Sequence, residues 1–246
     1  MHRNPGDRRT QPIQRSRDAE DDCHRCEGYR GTDAFAAPRS RDRLVNRELV
    51  LASDNSGKLR ELSALLSDGG FSVVGQGALG VIPAEETGKT FVENAILKAR
   101  NAAEQTARPA IADDSGIEVD ALDGAPGVYS ARFAGKGASD ADNVAKLLSQ
   151  LADVPFEQRR ARFRCLMVYL RRADDPAPLI CEGTWSGYIA VSPSGENGFG
   201  YDPVFWVPEE KCTAAELGPS VKNTLSHRAH ALQLLVNQMK RIVGDS

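Results

Sequence analysis

Two short acidic segments have the residue types needed to bind a divalent cation. One contains Glu86, and the other, Asp113-Asp114-Ser115-Gly116, follows the apolar run of residues 110–112. Adjacent carboxylates repel one another, and Mg²⁺ relieves that repulsion because it binds one or two carboxylates together with water and phosphate oxygens. If the loop of Glu86 folds over the aspartates, a carboxylate can also accept the proton of an attacking water. The competing interpretation is an ordinary β-turn rich in Asp, Ser and Gly.

A segment suited to phosphate lies between a predicted strand and a predicted helix, and its sequence is Ser53-Asp54-Asn55-Ser56-Gly57-Lys58. The first turn of a helix presents unpaired N–H groups and a partial positive charge, so it binds phosphate readily. Lys58 adds a full charge within that turn, and Lys98 is a second lysine that a helix could direct toward phosphate. The P-loop spacing is absent, and an N-cap followed by a surface lysine is the simpler alternative.

Two segments nearer the C-terminus combine aromatic, glycine and cationic residues in a pattern that suits a purine base. In Phe199-Gly200-Tyr201-Asp202, the glycine beside an aromatic residue lets a flat base approach the backbone and stack. Lys222 precedes Ser226-His227-Arg228, whose last two side chains can donate to the carbonyl edge of a base. The alternatives are a tight turn with a core phenylalanine and a serine-capped helix with solvated charges.

The elements that must position these residues follow from the hydrophobic pattern. Residues 48–53 predict a buried strand, residues 58–66 a helix, and residues 71–74 a second strand. This β-α-β start favours a sheet with crossover helices. The remaining pattern predicts three more helices at 90–107, 140–151 and 225–242, and strands at 110–112, 161–170, 179–185 and 205–207. The predicted fold class is therefore mixed α/β.

The size and charge of the chain exclude several classes of function. Its 246 residues suit one large α/β domain or two lobes that share a core. The formal net charge of −3 means that no overall positive field attracts nucleic acid. No apolar run approaches the ~18–20 residues that a membrane span needs. The five cysteines are odd in number and scattered, which favours a reducing cytoplasm over a disulfide framework.

The first 46 residues differ in composition from the remainder. They are rich in Arg, Asp, Gly and Pro, and the first lysine of the chain is Lys58. Such a segment, without helical or strand periodicity, buries too little surface to offset the entropy of ordering it. We expect residues 1–46 to be a disordered or non-native extension, and residues 47–246 to form the functional domain.

Taken together and in this order, the motifs resemble one family, the inosine triphosphate pyrophosphatases, also called dITP/XTP pyrophosphatases. Each motif is weak alone, but their joint occurrence over residues 48–239 is highly specific. The resemblance rests on Ser53-x-Asn55-x-x-Lys58, Glu86-Thr87-Gly88 with Thr90-Phe91-x-Glu93-Asn94-Ala95, Ala112-Asp113-Asp114-Ser115-Gly116, Gly124-Ala125-Pro126-Gly127 with Tyr129-Ser130-Ala131-Arg132, Gly198-Phe199-Gly200-Tyr201-Asp202-Pro203, and Ser226-His227-Arg228.

The resemblance implies a two-lobed mixed sheet flanked by helices, an active site in the cleft between the lobes, and a homodimer. It also implies Mg²⁺-dependent hydrolysis of purine nucleoside triphosphates such as ITP, dITP and XTP to the monophosphate and pyrophosphate, which cleanses the nucleotide pool. By that likeness Glu86 and Asp114 would bind Mg²⁺, and Asp114 would also accept a proton from water. The triphosphate and sugar would be bound by Lys58, Lys98 and Lys222 with Ser53, Asn55 and Ser115. The base would be bound by residues 199–202, His227 and Arg228.

The implied base contacts also imply a selectivity. Inosine and xanthine carry a 6-keto acceptor where adenine carries an amino donor. Donors from His227 and Arg228 would pair with the keto group and stay unpaired against adenine. Because an unpaired buried donor costs ~1–3 kcal/mol, roughly ten- to hundredfold discrimination against ATP follows.

One residue departs from the family pattern, because Asp54 stands where the family has glycine. A carboxylate that pointed into a phosphate site would repel its ligand. Aspartate tolerates the left-handed backbone region better than most residues, so we expect Asp54 to point away as a turn or cap residue.

Two other functions fit parts of the pattern. The Maf-like nucleotide pyrophosphatases share the general architecture but prefer pyrimidine or modified nucleotides, and Ser226-His227-Arg228 argues against them. A catalytically silent nucleotide-binding module would need no water-activating carboxylate, and the pair of Glu86 and Asp114 argues against it.

Overall fold

The computed structural model describes residues 48–68 and 70–244, and the predicted extension of residues 1–46 lies outside them. In the described part, seven strands form one sheet: β1 (Glu48–Leu51), β2 (Ser72–Gly75), β3 (Ala110–Val119), β4 (Arg160–Leu170), β5 (Leu179–Ile189), β6 (Phe205–Val207) and β7 (Cys212–Thr213). Their order across the sheet is β2-β1-β3-β4-β5-β6-β7. The strand β1 is parallel to β2 and β3, and the other neighbours are antiparallel.

Four of the five α-helices of the described part lie close to their predicted positions, and the short helix at Pro219–Leu225 was not predicted. The five helices are α1 (Ser56–Asp68), α2 (Phe91–Thr106), α3 (Asp140–Gln150), α4 (Pro219–Leu225) and α5 (His227–Gly244). The start of α2 is fixed by local chemistry, because Thr90 caps it and Glu93 completes a capping box. This box follows directly after the loop that carries Glu86. The first residues of α2 therefore position that loop.

The prediction for the Asp113-Asp114 segment was wrong in one respect. These residues do not follow a strand that ends at residue 112, because β3 continues to Val119. All ten residues of β3 pair with β4, so ladder hydrogen bonds override the turn propensity of the Asp-Ser-Gly sequence. The neighbouring strand β1 pairs with only two residues of β3 and ends at Leu51. Both aspartates therefore still lie just beyond the carboxyl end of a parallel strand.

The predicted closing helix, residues 225–242, corresponds to α5, but its predicted start lies two residues too early. Its first residue, Leu225, instead ends α4, and Ser226 has extended backbone angles (φ −70°, ψ 154°). Ser226 Oγ accepts a hydrogen bond from the backbone N–H of Ala229 at 3.2 Å. The serine thus begins α5 as an N-cap, as its sequence indicates, and places His227 and Arg228 in the first turn.

The sheet carries buried clusters at both ends, which define two lobes. In the first lobe, α2 packs its alanines on one face of β1 and β3, and α1 and α5 pack on the other face. In the second lobe, α3 packs against the far ends of β3, β4 and β5, together with β6. The long strands β3, β4 and β5 run through both lobes. The predicted mixed α/β fold with a sheet flanked by helices is confirmed.

Among the described residues, no helix has the length and apolar character that crossing a bilayer requires.

Candidate active site

A cleft of about 350 Å³ lies between the two lobes, and most of the predicted site residues line it. Those residues are Ser53, Asp54, Asn55, Lys58, Glu86, Lys98, Asp114, Ser115, Phe199, Gly200, Tyr201, Asp202, His227 and Arg228. The other three predicted residues, Ser56, Gly57 and Lys222, do not line the cleft. The tertiary structure thus joins segments that are up to 175 residues apart in sequence, from Ser53 to Arg228.

Lys98 lies between the two carboxylates that were predicted to bind Mg²⁺. Its Nζ is 3.0 Å from Glu86 Oε1 and 3.1 Å from Asp114 Oδ1. On the outer side of the cleft, Arg132 lies 3.5 Å from Glu86 Oε2. Two carboxylates that share one ammonium group are close enough to share a metal ion. The structure therefore brings the predicted pair together.

The geometry of this pair suits a cation whose other ligands come from water and substrate. The described part of the chain contains no group of three or more Asp, Glu, His or Cys side chains placed to bind a metal. Glu86 and Asp114 supply two carboxylates, and Mg²⁺ needs only one or two beside water and phosphate oxygens. Zn²⁺ sites instead use three or four protein ligands. The donor set therefore fits Mg²⁺.

Burial and neighbouring charges shift the pKa values of these two carboxyl groups in opposite directions. Burial raises the pKa of Asp114, and its interaction with Lys98 does not fully offset that effect. Burial also acts to raise the pKa of Glu86, but the charge of Lys98 and its hydrogen bond outweigh burial, so the pKa is lowered. A carboxylate with a raised pKa is the better proton acceptor, whereas one with a lowered pKa stays charged. The two environments thus favour different roles.

Asp113 is a buried counter-ion for cations from two different helices. Its Oδ2 lies 2.9 Å from Lys58 Nζ at the start of α1 and 3.3 Å from Arg228 Nε at the start of α5. Burial alone would raise the pKa of Asp113, but Lys58 and Arg228 outweigh burial and hold that pKa well below its usual range. Arg228 also donates to Ser115 Oγ at 2.9 Å. Asp113 therefore positions Lys58 and Arg228.

The first turn of α1 is capped by residues of the predicted phosphate segment. Asn55 Oδ1 accepts hydrogen bonds from the backbone N–H groups of Gly57 at 2.9 Å and Lys58 at 3.1 Å. Ser53 Oγ accepts one from the N–H of Asn55 at 3.2 Å. Ser56 is exposed and Gly57 is buried. Because the cap occupies two helix amides, the Lys58 ammonium is the main cationic group that this segment presents to the cleft.

Asp54 lines the cleft, but its carboxylate is held by a hydrogen bond from Gln76. Gln76, which is 5% exposed, donates through Nε2 to Asp54 Oδ2 at 2.8 Å. A Cβ atom on Gly77 would lie only 2.9 Å from Asp54 Oδ1. The side chain of Asp54 is thus directed toward the turn at residues 76–79.

The ring of Phe199 lies near two cations in the cleft. The centroid of its ring is 4.9 Å from Arg228 Cζ and 5.2 Å from Lys222 Nζ, which are cation–π distances. Lys222 also pairs with buried Asp202 Oδ2 at 2.7 Å, and that oxygen accepts from the N–H of Phe199 at 2.8 Å. These contacts place Lys222 against the aromatic segment.

His227 is a buried, neutral imidazole on the cleft wall. Its ring stacks on Phe163 with centroids 4.7 Å apart and an interplanar angle of 10°. Burial, reinforced by the positive charges of Arg228 and Lys222, lowers the pKa of His227 well below its usual value. Its Nδ1 is buried without a hydrogen-bond partner. A neutral imidazole keeps one donor and one acceptor, so His227 can exchange hydrogen bonds with a base edge.

Close packing of α5 against the sheet brings His227 to this position. A Cβ atom on Gly183 of β5 would lie 2.1 Å from the carbonyl oxygen of His227. Only glycine permits that approach, so the backbone of β5 determines how deeply the first turn of α5 enters the cleft.

Several residues that position the site were missing from the sequence prediction. Asn94 donates to Asp114 Oδ2 at 3.1 Å, and its place inside a recognised motif was the available signal. Asp140 accepts a hydrogen bond at 2.7 Å from the backbone N–H of Gly200, which lies 60 residues away in sequence. The hydroxyl of Tyr201 donates to the carbonyl oxygen of Ser130 at 2.8 Å across 71 residues. No local pattern signals contacts of such separation.

A model of the Ham1 family matches residues 49–238 of the chain. The chain belongs to the Ham1 family. The dITP/XTP pyrophosphatase of Vibrio cholerae serotype O1 is 60% identical over 189 residues, which cover 77% of this chain and 94% of that protein. This membership confirms the family that the sequence motifs resemble.

Solved structures of the Ham1 family agree with the architecture. A HAM1 protein from Coxiella burnetii has a TM-score of 0.73 and 51% identity, covering 79% of this chain and 98% of its own. The nucleoside-triphosphatase / dITP/XTP pyrophosphatase of Mycobacterium abscessus has a TM-score of 0.61 and 43% identity. The match covers 76% of this chain and 98% of that chain. The fold of the described domain is thus that of the Ham1 proteins.

Proposed function

We propose that this protein hydrolyses dITP, XTP and ITP to the nucleoside monophosphate and pyrophosphate, and so cleanses the nucleotide pool. The observation that carries the proposal is the convergence of Glu86, Lys98 and Asp114 in one cleft with Lys58. Two carboxylates for a metal, two lysines for phosphate and a separate aromatic-cationic wall are the parts that such a reaction needs. The names of Ham1 relatives give the same substrate class.

Asp114 is the proton acceptor in this proposal. It is held by Asn94 and Lys98, and burial raises its pKa, which makes the carboxylate a better acceptor for a proton from water. Glu86 and Asp114 would hold Mg²⁺, which when bound supplies charge stabilisation at the phosphoryl oxygens. Asp114 then takes the proton as the water oxygen attacks the α-phosphorus and pyrophosphate leaves.

Lys58 and Lys98 are the proposed ligands of the triphosphate. Each lysine pairs with a carboxylate in the described conformation, at 2.9 Å for Lys58 with Asp113 and 3.1 Å for Lys98 with Asp114. Both lysines line the cleft, and their side chains are partly exposed, at 15% and 13%. Substrate oxygens can therefore join these pairs without breaking the carboxylate contacts.

The base is proposed to lie against Phe199, His227 and Arg228. The phenyl ring offers a stacking face, and the other two side chains offer hydrogen bonds to a 6-keto group. Adenine, with an amino donor at that position, would leave a buried donor unpaired at a cost of ~1–3 kcal/mol. This wall supports purine selectivity over the pyrimidine preference of a Maf-like enzyme.

We further infer a homodimer, a cytoplasmic location, and an N-terminal extension of residues 1–46 that plays no part in catalysis. Light scattering of the purified chain would test the dimer.

Deletion of residues 1–46 would test whether the extension takes part in catalysis, because the shortened protein should retain full activity. Loss of turnover on that deletion would show that the extension contributes to the site.

The decisive experiment is a pyrophosphate-release assay with and without Mg²⁺ over ITP, XTP, dITP, GTP, ATP and dUTP. We expect Mg²⁺-dependent release from ITP, XTP and dITP well above that from ATP and dUTP. Preferred release from pyrimidine nucleotides would support the Maf-like alternative. Binding of ITP without release of pyrophosphate would support the silent nucleotide-binding module.

A further inference from the structure

Asn94 is a buried amide that joins the two segments carrying the proposed metal ligands. It is fully buried, at 0% exposure, in the first turns of α2. Its Oδ1 accepts a hydrogen bond from the N–H of Gly88 at 2.8 Å, and Gly88 lies two residues after Glu86. Its Nδ2 donates to Asp114 Oδ2 at 3.1 Å. One side chain thus contacts both the loop of Glu86 and the strand of Asp114.

The contact between Gly88 and Asn94 leaves no room for a larger residue in the loop. A Cβ atom on residue 88 would lie 2.6 Å from Asn94 Oδ1 and 3.0 Å from the backbone nitrogen of Asn94. A side chain at Gly88 would therefore push the loop away from α2. The loop reaches Asn94 only because residue 88 is glycine.

The opposite end of the same loop is held by two other side-chain amides of α2. Asn101 of α2 donates through Nδ2 to the carbonyl oxygen of Ile82 at 2.8 Å, and Gln105 accepts from the N–H of Ile82 at 3.0 Å. These contacts also attach the loop to α2, but they do not involve Asp114. Asn101 is therefore a matched control for Asn94, with the same side chain on the same helix.

We propose that Asn94 is a positioning residue that sets the spacing of Glu86 and Asp114 and determines which oxygen of Asp114 faces the cleft. Its bond occupies Oδ2, and the remaining Oδ1 is the atom that lies 3.1 Å from Lys98 Nζ, next to Glu86. This inference rests on the proposed function, because it assigns the metal site to Glu86 and Asp114. Residues that orient metal-binding carboxylates typically change metal affinity or activity by about 10–100-fold when they are replaced.

The test compares Asn94→Ala with Asn101→Ala in the full chain, using Mn²⁺ as the probe and electron paramagnetic resonance to count free Mn²⁺. For Asn94→Ala we expect about 10–100-fold weaker Mn²⁺ binding and a lower kcat, with little change in the KM for nucleotide. Asn101→Ala should bind Mn²⁺ as the parent chain does. Unchanged Mn²⁺ affinity in folded Asn94→Ala, or an equal loss in Asn101→Ala, would overturn the proposal.

A second variant examines the same bond from the loop. Gly88→Ala keeps Asn94 and should weaken Mn²⁺ binding in the same direction, so the proposal stays testable if Asn94→Ala does not fold. Wild-type Mn²⁺ affinity in Gly88→Ala would count against it. Failure of the proposed metal site would be seen in a different variant. Glu86→Gln would then leave Mn²⁺ binding unchanged, both in the parent chain and in Asn94→Ala.

Discussion

The ring of Phe199 lies directly over the backbone of Gly57, so that a Cβ atom on residue 57 would be 2.7 Å from Phe199 Cδ1. This contact joins the first turn of α1, which carries Lys58, to the segment proposed to hold the base. Gly57 does not line the cleft itself. Its importance in the described conformation is the space that it leaves for the aromatic ring.

We predict that Gly57→Ala displaces the Phe199 ring and lowers kcat/KM. Overpacking a tight contact typically costs about 1–3 kcal/mol. If that cost falls on binding of the base, kcat/KM decreases roughly 5- to 150-fold. Steady-state kinetics with ITP would measure it. Gly218→Ala is the matched control, because a Cβ atom on residue 218 meets nothing within 4 Å.

A double-mutant cycle separates this contact from a general defect of α1. Phe199→Leu removes the ring that the new methyl group would meet, so Gly57→Ala should cost less in that background than in the parent chain. Strict additivity of the two losses would show that Gly57 acts without Phe199.

Asp114→Asn should nearly abolish turnover and leave nucleotide binding largely intact. The amide keeps the shape of the side chain but cannot accept the proton from water, and general-base catalysis typically contributes about 10²–10⁴-fold. Single-turnover kinetics and a nucleotide dissociation constant would measure the two effects separately. Turnover near that of the parent chain would remove Asp114 from the mechanism.

Arg228→Ala should narrow the preference for ITP over ATP by roughly tenfold, because it removes a donor to the 6-keto group. Asp113 would still pair with Lys58 at 2.9 Å, so the buried carboxylate keeps a counter-ion. The measurement is the ratio of kcat/KM for the two nucleotides. Arg132→Ala is the control. Because Arg132 contacts Glu86, its replacement should change kcat/KM for both nucleotides by the same factor. An unchanged ratio in Arg228→Ala would place base recognition elsewhere.

The neutral state of His227 predicts a pH dependence of stability. The folded pKa of His227 lies well below that of the unfolded chain, so protons bind the unfolded state first as pH falls below about 6.5. The free energy of unfolding should therefore decrease by about 1.4 kcal/mol per pH unit below that value from this residue alone. Stability at higher pH is unaffected by it.

Denaturant unfolding from pH 7.5 to pH 5 would measure this dependence in the parent chain and in His227→Phe. The phenyl ring can stack on Phe163 as the imidazole does, but it cannot bind a proton. We expect the variant to lose less stability than the parent chain over the acidic part of the range. Parallel curves would show that folding does not lower the pKa of His227.

Local sequence predicted most of the elements and the types of the site residues. The apolar spacing of α1, the capping box of α2 and the alternating residues of β4 each depend on neighbours within a few positions, so their patterns are visible in one sequence. The motifs around Lys58, Glu86 and Asp114 were likewise recognisable by residue type. These parts required no knowledge of distant contacts.

Contacts between distant segments decided the rest. The Asp-Ser-Gly sequence after Ala112 has turn propensity, but pairing of all ten residues of β3 with β4 makes it strand. Lys222 lies against Phe199 because Asp202 pairs with it, which its own surroundings in sequence do not reveal. Sequence alone determined which charged and aromatic groups this protein possesses, because residue types and local patterns are written in it. Only the tertiary structure decided which carboxylate pairs with which cation, because burial and distance set that choice.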